Sequence, residues 1–205
     1  MGSKRWRRNV SFAVILVLVI IIAYFGGLKA AQGVQGWKAR QEQAKRTESI
    51  LKEMGTGLGV GRSLPDAVLA DLEGVETRLS GLLCDRTVVV FFRTDCSFSQ
   101  AELAALQAAT VTPADQSCFV LISNSDQIEL WDVKQKLGLS CSILYDRDTK
   151  YGKQLGVKSV PLNFIVDRTL KIEDVISGTM PTRDIRDFMG DNRKKYEKRT
   201  GILPE

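Results

Sequence analysis

The stretch VVVFFRTDCSFSQAEL, residues 88–103, restricts the fold more than any other part of this chain. Residues 88–92 form a continuous apolar, β-rich run, the pattern of a strand covered on both faces. Arg93, Thr94 and Asp95 supply a polar turn, Cys96 follows, and residues 100–107 carry strong helix formers with Leu103 and Leu106 on one side. The first turn of a helix has N–H groups without intrahelical partners and favours negative charge. A cysteine at that junction has its thiol acidified and its thiolate exposed. The bland alternative is a small buried hydrophobe. The strand, turn and helix around Cys96 favour a nucleophile at the carboxyl edge of a sheet.

With 205 residues, the chain has room for one ordinary domain and its appendages. It contains no histidine, which removes serine–histidine and cysteine–histidine catalysis and any imidazole-based zinc site. Cys84, Cys96, Cys118 and Cys141 are too scattered for zinc-finger spacing. No metal, nucleotide or haem signal is present, so no cofactor is inferred. The net charge of +5 conceals a split: residues 63–190 carry 13 basic and 18 acidic groups, whereas the flanks are strongly basic. Basic flanks around an acidic domain point to a membrane surface. No basic stripe is interleaved with aromatics, so nucleic acid is not an expected partner.

Residues 1–9 hold Lys4, Arg5, Arg7 and Arg8 and no acid, and residues 10–28 then run without a charge. At about 1.5 Å per residue that run nearly spans a hydrocarbon core of roughly 30 Å. Trp6 and Tyr24 stand near its ends, as interfacial aromatics do. A cleaved signal peptide is the rival reading, but the run exceeds the usual h-region and Lys29 disturbs a cut after Ala31. The expectation is an uncleaved single-pass anchor with the N-terminus cytoplasmic and the domain on the extracytoplasmic, periplasmic side. Residues 29–62 read as a helical stalk followed by a Gly-rich linker, GTGLGVG. The helix at 37–54 could also be interfacial or bind a partner.

From Pro65 strands and helices alternate. LADLEGVETRLSGL, with Gly74 in an acidic turn, reads as a hairpin or loop at the domain entrance. CFVLIS at 118–123 is a second buried strand. Residues 126–137 form a helix started by a capping-box-like Asp126 and Glu129 and stopped by Gly138. Residues 142–145 are a third strand and residues 148–155 a helical turn. Residues 162–166 and 172–176 are two more strands around Asp167 and Arg168, and Thr182 caps a last helix reaching Met189. The alternation implies a parallel sheet with an antiparallel hairpin at one edge. Residues 191–205 form a charged tail.

The blocks PDAVLADLEGVETRLSGLLCDRTVVVFFRTDCSFSQAELAALQ and GVKSVPLNFIVDRTLKI, in that order, resemble the membrane-anchored thioredoxin-like proteins of the TlpA type. These are relatives of the periplasmic disulfide reductases that serve cytochrome c maturation. The resemblance spans roughly residues 64–189 and implies an α/β thioredoxin-like fold, a central mixed sheet flanked by helices, behind one transmembrane helix. It implies Cys96 as nucleophile and a substrate groove formed by Ser97, Phe98, Val160 and Pro161, the last after a cis bond. The family signature has two cysteines separated by two residues. Here the segment is Cys96-Ser97-Phe98-Ser99, and Ser99 takes the place of the resolving cysteine.

Serine cannot displace a mixed disulfide, so the product has to be released by an outside thiol. The Ser99 hydroxyl is placed to donate to the thiolate, whereas Asp95 opposes its formation as a like charge. Peroxiredoxins carry a threonine three residues, and a proline seven residues, before their cysteine; Arg93 and Val89 occupy those positions. Cys84, Cys118 and Cys141 fall at the sheet edge opposite Cys96 and read as buried free thiols. In an oxidising compartment a Cys118–Cys141 or Cys84–Cys118 bridge is within reach. Two functions follow: thiol–disulfide exchange with a protein partner, or a redox-silent subunit of a membrane complex.

Overall fold

The structure is a computed structural model that describes residues 41–42, 45–53, 58–109 and 118–190. The expected anchor at 10–28 and the tail at 191–205 lie outside the described residues. Among the described residues no helix is long and apolar enough to cross a membrane.

Residues 45–53 form helix α1. A hairpin of β1 (Val68–Asp71) and β2 (Glu76–Arg78) follows, and then a 3-10 turn at Leu79–Leu82. Next come β3 (Arg86–Phe92), α2 (Ser97–Ala109), β4 (Phe119–Ser123), α3 (Gln127–Leu137), β5 (Ser142–Tyr145) and α4 (Lys150–Gln154). The β6 (Leu162–Asp167) and β7 (Ile172–Ser177) hairpin and α5, residues 182–190, complete the described chain. The strands form one mixed sheet in the order β2-β1-β5-β4-β3-β6-β7.

Strands β3, β4 and β5 are parallel, as the alternation of strand and helix requires. Right-handed crossovers moving from β3 to β4 to β5 put α2 and α3 on one face, and the return from β5 towards β6 puts α4 on the other. The side chains of β3 alternate accordingly. Val88, Val90 and Phe92 pack with Leu103, Leu106 and Leu130, while Val89 and Phe91 pack with Tyr151 and Leu155. Strand β6 runs antiparallel to β3, with Leu162 opposite Phe91. Its first residues therefore begin at the edge where β3 ends, which brings Pro161 towards Cys96.

Three details differ from the sequence reading. Helix α2 starts at Ser97, not Gln100, because the Cys96 carbonyl accepts the Gln100 N–H at 3.0 Å and opens the helical ladder there. Asp126 does cap α3, accepting from Ile128 N at 2.8 Å, and Gly138 ends it at φ 58°. Glu129, however, turns to accept from the Thr94 hydroxyl. Helix α1 is packed against the domain: Thr47 and Leu51 are buried, Leu51 joins the core around Leu64, and the Thr47 hydroxyl donates to Asp174.

The preference for free thiols is corrected at Cys84 and Cys118, which form a disulfide with a Cα–Cα distance of 5.4 Å. The register explains it. Phe119 lies opposite Val88, so Cys118 is held just before the start of β4, and Val88 N donates to its carbonyl at 2.9 Å. Thr87 Oγ1 accepts Cys84 N at 2.9 Å and folds the preceding loop back over that position. Cys141 does stay outside the disulfide as a buried thiol, pushed up to about 12 by burial.

Candidate active site

The Arg93–Asp95 turn is fixed from several sides. Thr94 N donates to Ser125 Oγ at 3.0 Å, Thr94 Oγ1 to Glu129, and the Gln100 side chain to the Thr94 carbonyl at 2.6 Å. Arg93 N donates to Ser99 Oγ at 3.3 Å, and the Arg93 guanidinium pairs with Asp95. Cys96 is thereby set at the mouth of α2, half-exposed, with its Sγ donating to the Val160 carbonyl at 3.5 Å. The next peptide bond, Val160–Pro161, is cis.

Electrostatics favour the thiolate. The Ser99 backbone N–H, then the Ser99 hydroxyl, and to a smaller extent the Phe98 N–H hold the Cys96 thiol below its ordinary value; Asp95 opposes them. Ser99 itself is fully buried. It thus faces the sulfur from inside, where a resolving cysteine would stand, and offers a hydrogen bond instead of a second sulfur.

The residues named from sequence gather around this sulfur. Ser97 opens α2 and is exposed, Phe98 is 67% exposed, and its carbonyl accepts the Thr179 hydroxyl at 3.1 Å. Val160 is half-buried and Pro161 is buried, with Gly178 N donating to the Pro161 carbonyl at 2.9 Å. The exposed Phe98 ring beside the half-exposed sulfur makes a surface on which an extended segment can lie.

Beneath it sits a group the sequence reading passed over. Glu102 is 4% exposed, and burial raises its carboxyl to about 7, partly offset by the Met180 backbone and the Asn163 side chain. Asn163 is fully buried; its amide donates to the Ile176 and Gly178 carbonyls at 3.4 and 3.2 Å. Glu102 Oε2 and Asn163 Oδ1 are both buried without a hydrogen-bond partner. A signal was present. Ser99, Glu102, Leu103, Leu106 and Ala109 recur at helical spacing, and all are buried, so Glu102 lies on the inward stripe.

The sequence profile of the AhpC/TSA family matches residues 60–175, from before β1 into β7. The chain belongs to the AhpC/TSA family. Within it, this AhpC/TSA protein is 29% identical over 136 residues to the thiol-disulfide oxidoreductase ResA of Geobacillus thermodenitrificans, covering 65% of this chain and 78% of that protein. A secreted disulfide oxidoreductase of Mycobacterium tuberculosis superposes with a TM-score of 0.53 at 18% identity, over 61% of this chain and 95% of the other. Peroxidoxin BcpB of the same organism superposes equally well, TM-score 0.53 at 23% identity, over 65% and 94%. At these identities the superpositions establish the thioredoxin-like fold: a mixed sheet flanked by helices.

Proposed function

We propose that this protein carries out thiol–disulfide exchange through Cys96, from a domain tethered outside the cytoplasm by residues 10–28. The observation that carries the reading is the placement of Cys96: a half-exposed, acidified sulfur at the start of α2, against the carbonyl that precedes cis-Pro161. The Cys96 thiolate attacks one sulfur of a substrate disulfide; a Cys96 mixed disulfide forms and the other substrate sulfur leaves as thiolate. Ser99 cannot carry the reaction further, so a second thiol from outside has to cleave that mixed disulfide. The substrate segment lies over Ser97, Phe98, Val160 and Pro161. Similarity to ResA supports the exchange chemistry. The uncharged run at 10–28 and the Cys84–Cys118 disulfide both suit an anchored domain in an oxidising compartment.

A peroxide-reducing reading is weaker, because Arg93 and Val89 stand where peroxiredoxins carry threonine and proline. The redox-silent alternative, a docking subunit of a membrane complex, is favoured by one observation, the buried Ser99 in place of a resolving thiol.

Trapping in intact membranes separates the two. Mixed-disulfide partners recovered through Cys96 and lost in Cys96→Ala support exchange; identical capture and phenotype in Cys96→Ala eliminate it. Ser99→Cys is expected to raise disulfide reductase turnover on a model substrate at least about tenfold, since it restores intramolecular release.

A further inference from the structure

Resting on the exchange reading, we infer that the thiol regenerating Cys96 is a small, carboxylate-bearing thiol that docks in a basic cleft beside the sulfur. The cleft, about 280 Å³, opens at the carboxyl edge of β3, β4 and β5. That volume is just under the usual range for small-molecule sites, about 300–1,000 Å³, and restricts the cleft to a small molecule. Arg93 and Val160 line it. The same two residues flank Cys96, whose N–H donates to the Arg93 carbonyl at 3.4 Å and whose Sγ meets the Val160 carbonyl. Cys96 does not itself line the cleft, but the cleft adjoins it through these two residues.

Its charge runs against that of its surroundings. Residues 63–190 are acidic overall, yet the lining includes Arg93, Lys153 and Lys158 and a single carboxylate, Asp146. Asp146 is 5% exposed and turned inward, accepting from Tyr151 N at 3.2 Å and Gly152 N at 2.8 Å. Asp95, which does not line the cleft, pairs with Arg93, and Lys158 Nζ donates to the uncharged Glu53 main-chain carbonyl. Two lysines of the lining thus offer positive charge to a ligand, and Asn124, Thr149 and Ser159 offer polar groups suited to amides.

Through this approach the small thiolate attacks Cys96 Sγ, the substrate cysteine leaves as thiolate, and Cys96 is left bonded to the small thiol. A second small thiolate attacks the sulfur of that adduct; Cys96 leaves as thiolate and a small-molecule disulfide departs. Two small thiols are oxidised and one substrate disulfide is reduced.

The test uses the full-length chain in detergent, with Cys96 adducts quantified by intact mass and peptide mapping. Oxidised glutathione, with four carboxylates and two ammonium groups, is compared with dicationic cystamine. The ratio of their rates is expected to fall about thirtyfold in Lys153→Glu/Lys158→Glu, and towards unity for the unaltered chain in about 0.5 M salt. A ratio that neither change moves overturns the inference while leaving exchange intact. An acidic cysteine peptide too long for the cleft that matches the glutathione preference also overturns it, assigning the charge effect to the open surface. If neutral 2-hydroxyethyl disulfide does not modify Cys96 of the unaltered chain, exchange itself fails, and this inference with it.

Discussion

At the scale of residues, the chemistry depends on how Ser99 and Asp95 divide their influence over one sulfur. Ser99→Ala removes the hydroxyl but keeps the backbone N–H, so the Cys96 thiol is expected to titrate higher than in the unaltered chain. Asp95→Asn removes a like charge and is expected to move it lower. The pH dependence of Cys96 alkylation reads both, and a shift of the same sign in the two variants contradicts this account. Glu102 makes a separate prediction. Its carboxyl titrates near 7 in the fold and near 4.5 when unfolded, so between those values the native state holds the extra proton. Stability from this group is therefore full below about pH 4.5 and declines as pH rises towards 7, by an amount on the order of 2–3 kcal/mol. Glu102→Gln should flatten that decline in urea titrations run across this window. An unchanged slope would mean that Glu102 is charged throughout.

Single elements carry the site because their ends are pinned. Helix α2 can present Cys96 only while the Arg93–Asp95 turn is held by Ser125, Glu129 and Gln100, which belong to the β4–α3 region and to α2 itself. Helix α1 has a different task. Leu51 fills the face of the sheet that also holds Leu64 and Val175, and Lys158, from the loop leading to Pro161, donates to the Glu53 carbonyl. Leu51→Ala is expected to cost about 2–3 kcal/mol in chemical denaturation, against roughly 0.5 kcal/mol or less for the exposed Lys52→Ala. Equal effects would show that α1 does not belong to the folded body.

Across the whole molecule, two sulfur sites occupy opposite edges of one sheet. Cys96 lies where β3 ends, and Cys84–Cys118 lies where β3 and β4 begin. The disulfide joins positions 34 residues apart and encloses β3 and α2. Cys84→Ser/Cys118→Ser should lower stability by about 3–4 kcal/mol, through the wider freedom of the unfolded chain. The rate of Cys96 alkylation under native conditions is expected to stay unchanged, because no contact of that sulfur involves the opposite edge. A large change in that rate would reveal coupling through β3.

Much of this arrangement is written in local patterns. The apolar run at 88–92 demands a strand covered on both faces, Asp126 and Gly138 mark the limits of α3, and the turn at Asp167 and Arg168 separates two strands that pair. These features involve neighbours in sequence, so propensity and periodicity suffice to read them. Other features come from segments that meet only after folding. Strand β6 inserts antiparallel beside β3, and so Val160 and Pro161 arrive at Cys96. The register of β3 on β4 places Cys84 against Cys118. Glu102 owes its raised pKa to burial, which Met180 and Asn163, far along the chain, only partly offset, although its place on the inward stripe of α2 was visible beforehand. By itself the sequence determined that Cys96 is the candidate nucleophile and that no second thiol follows it at the usual spacing. Only the tertiary structure decided what surrounds that sulfur, because burial, pairing and charge at the site depend on contacts between distant segments.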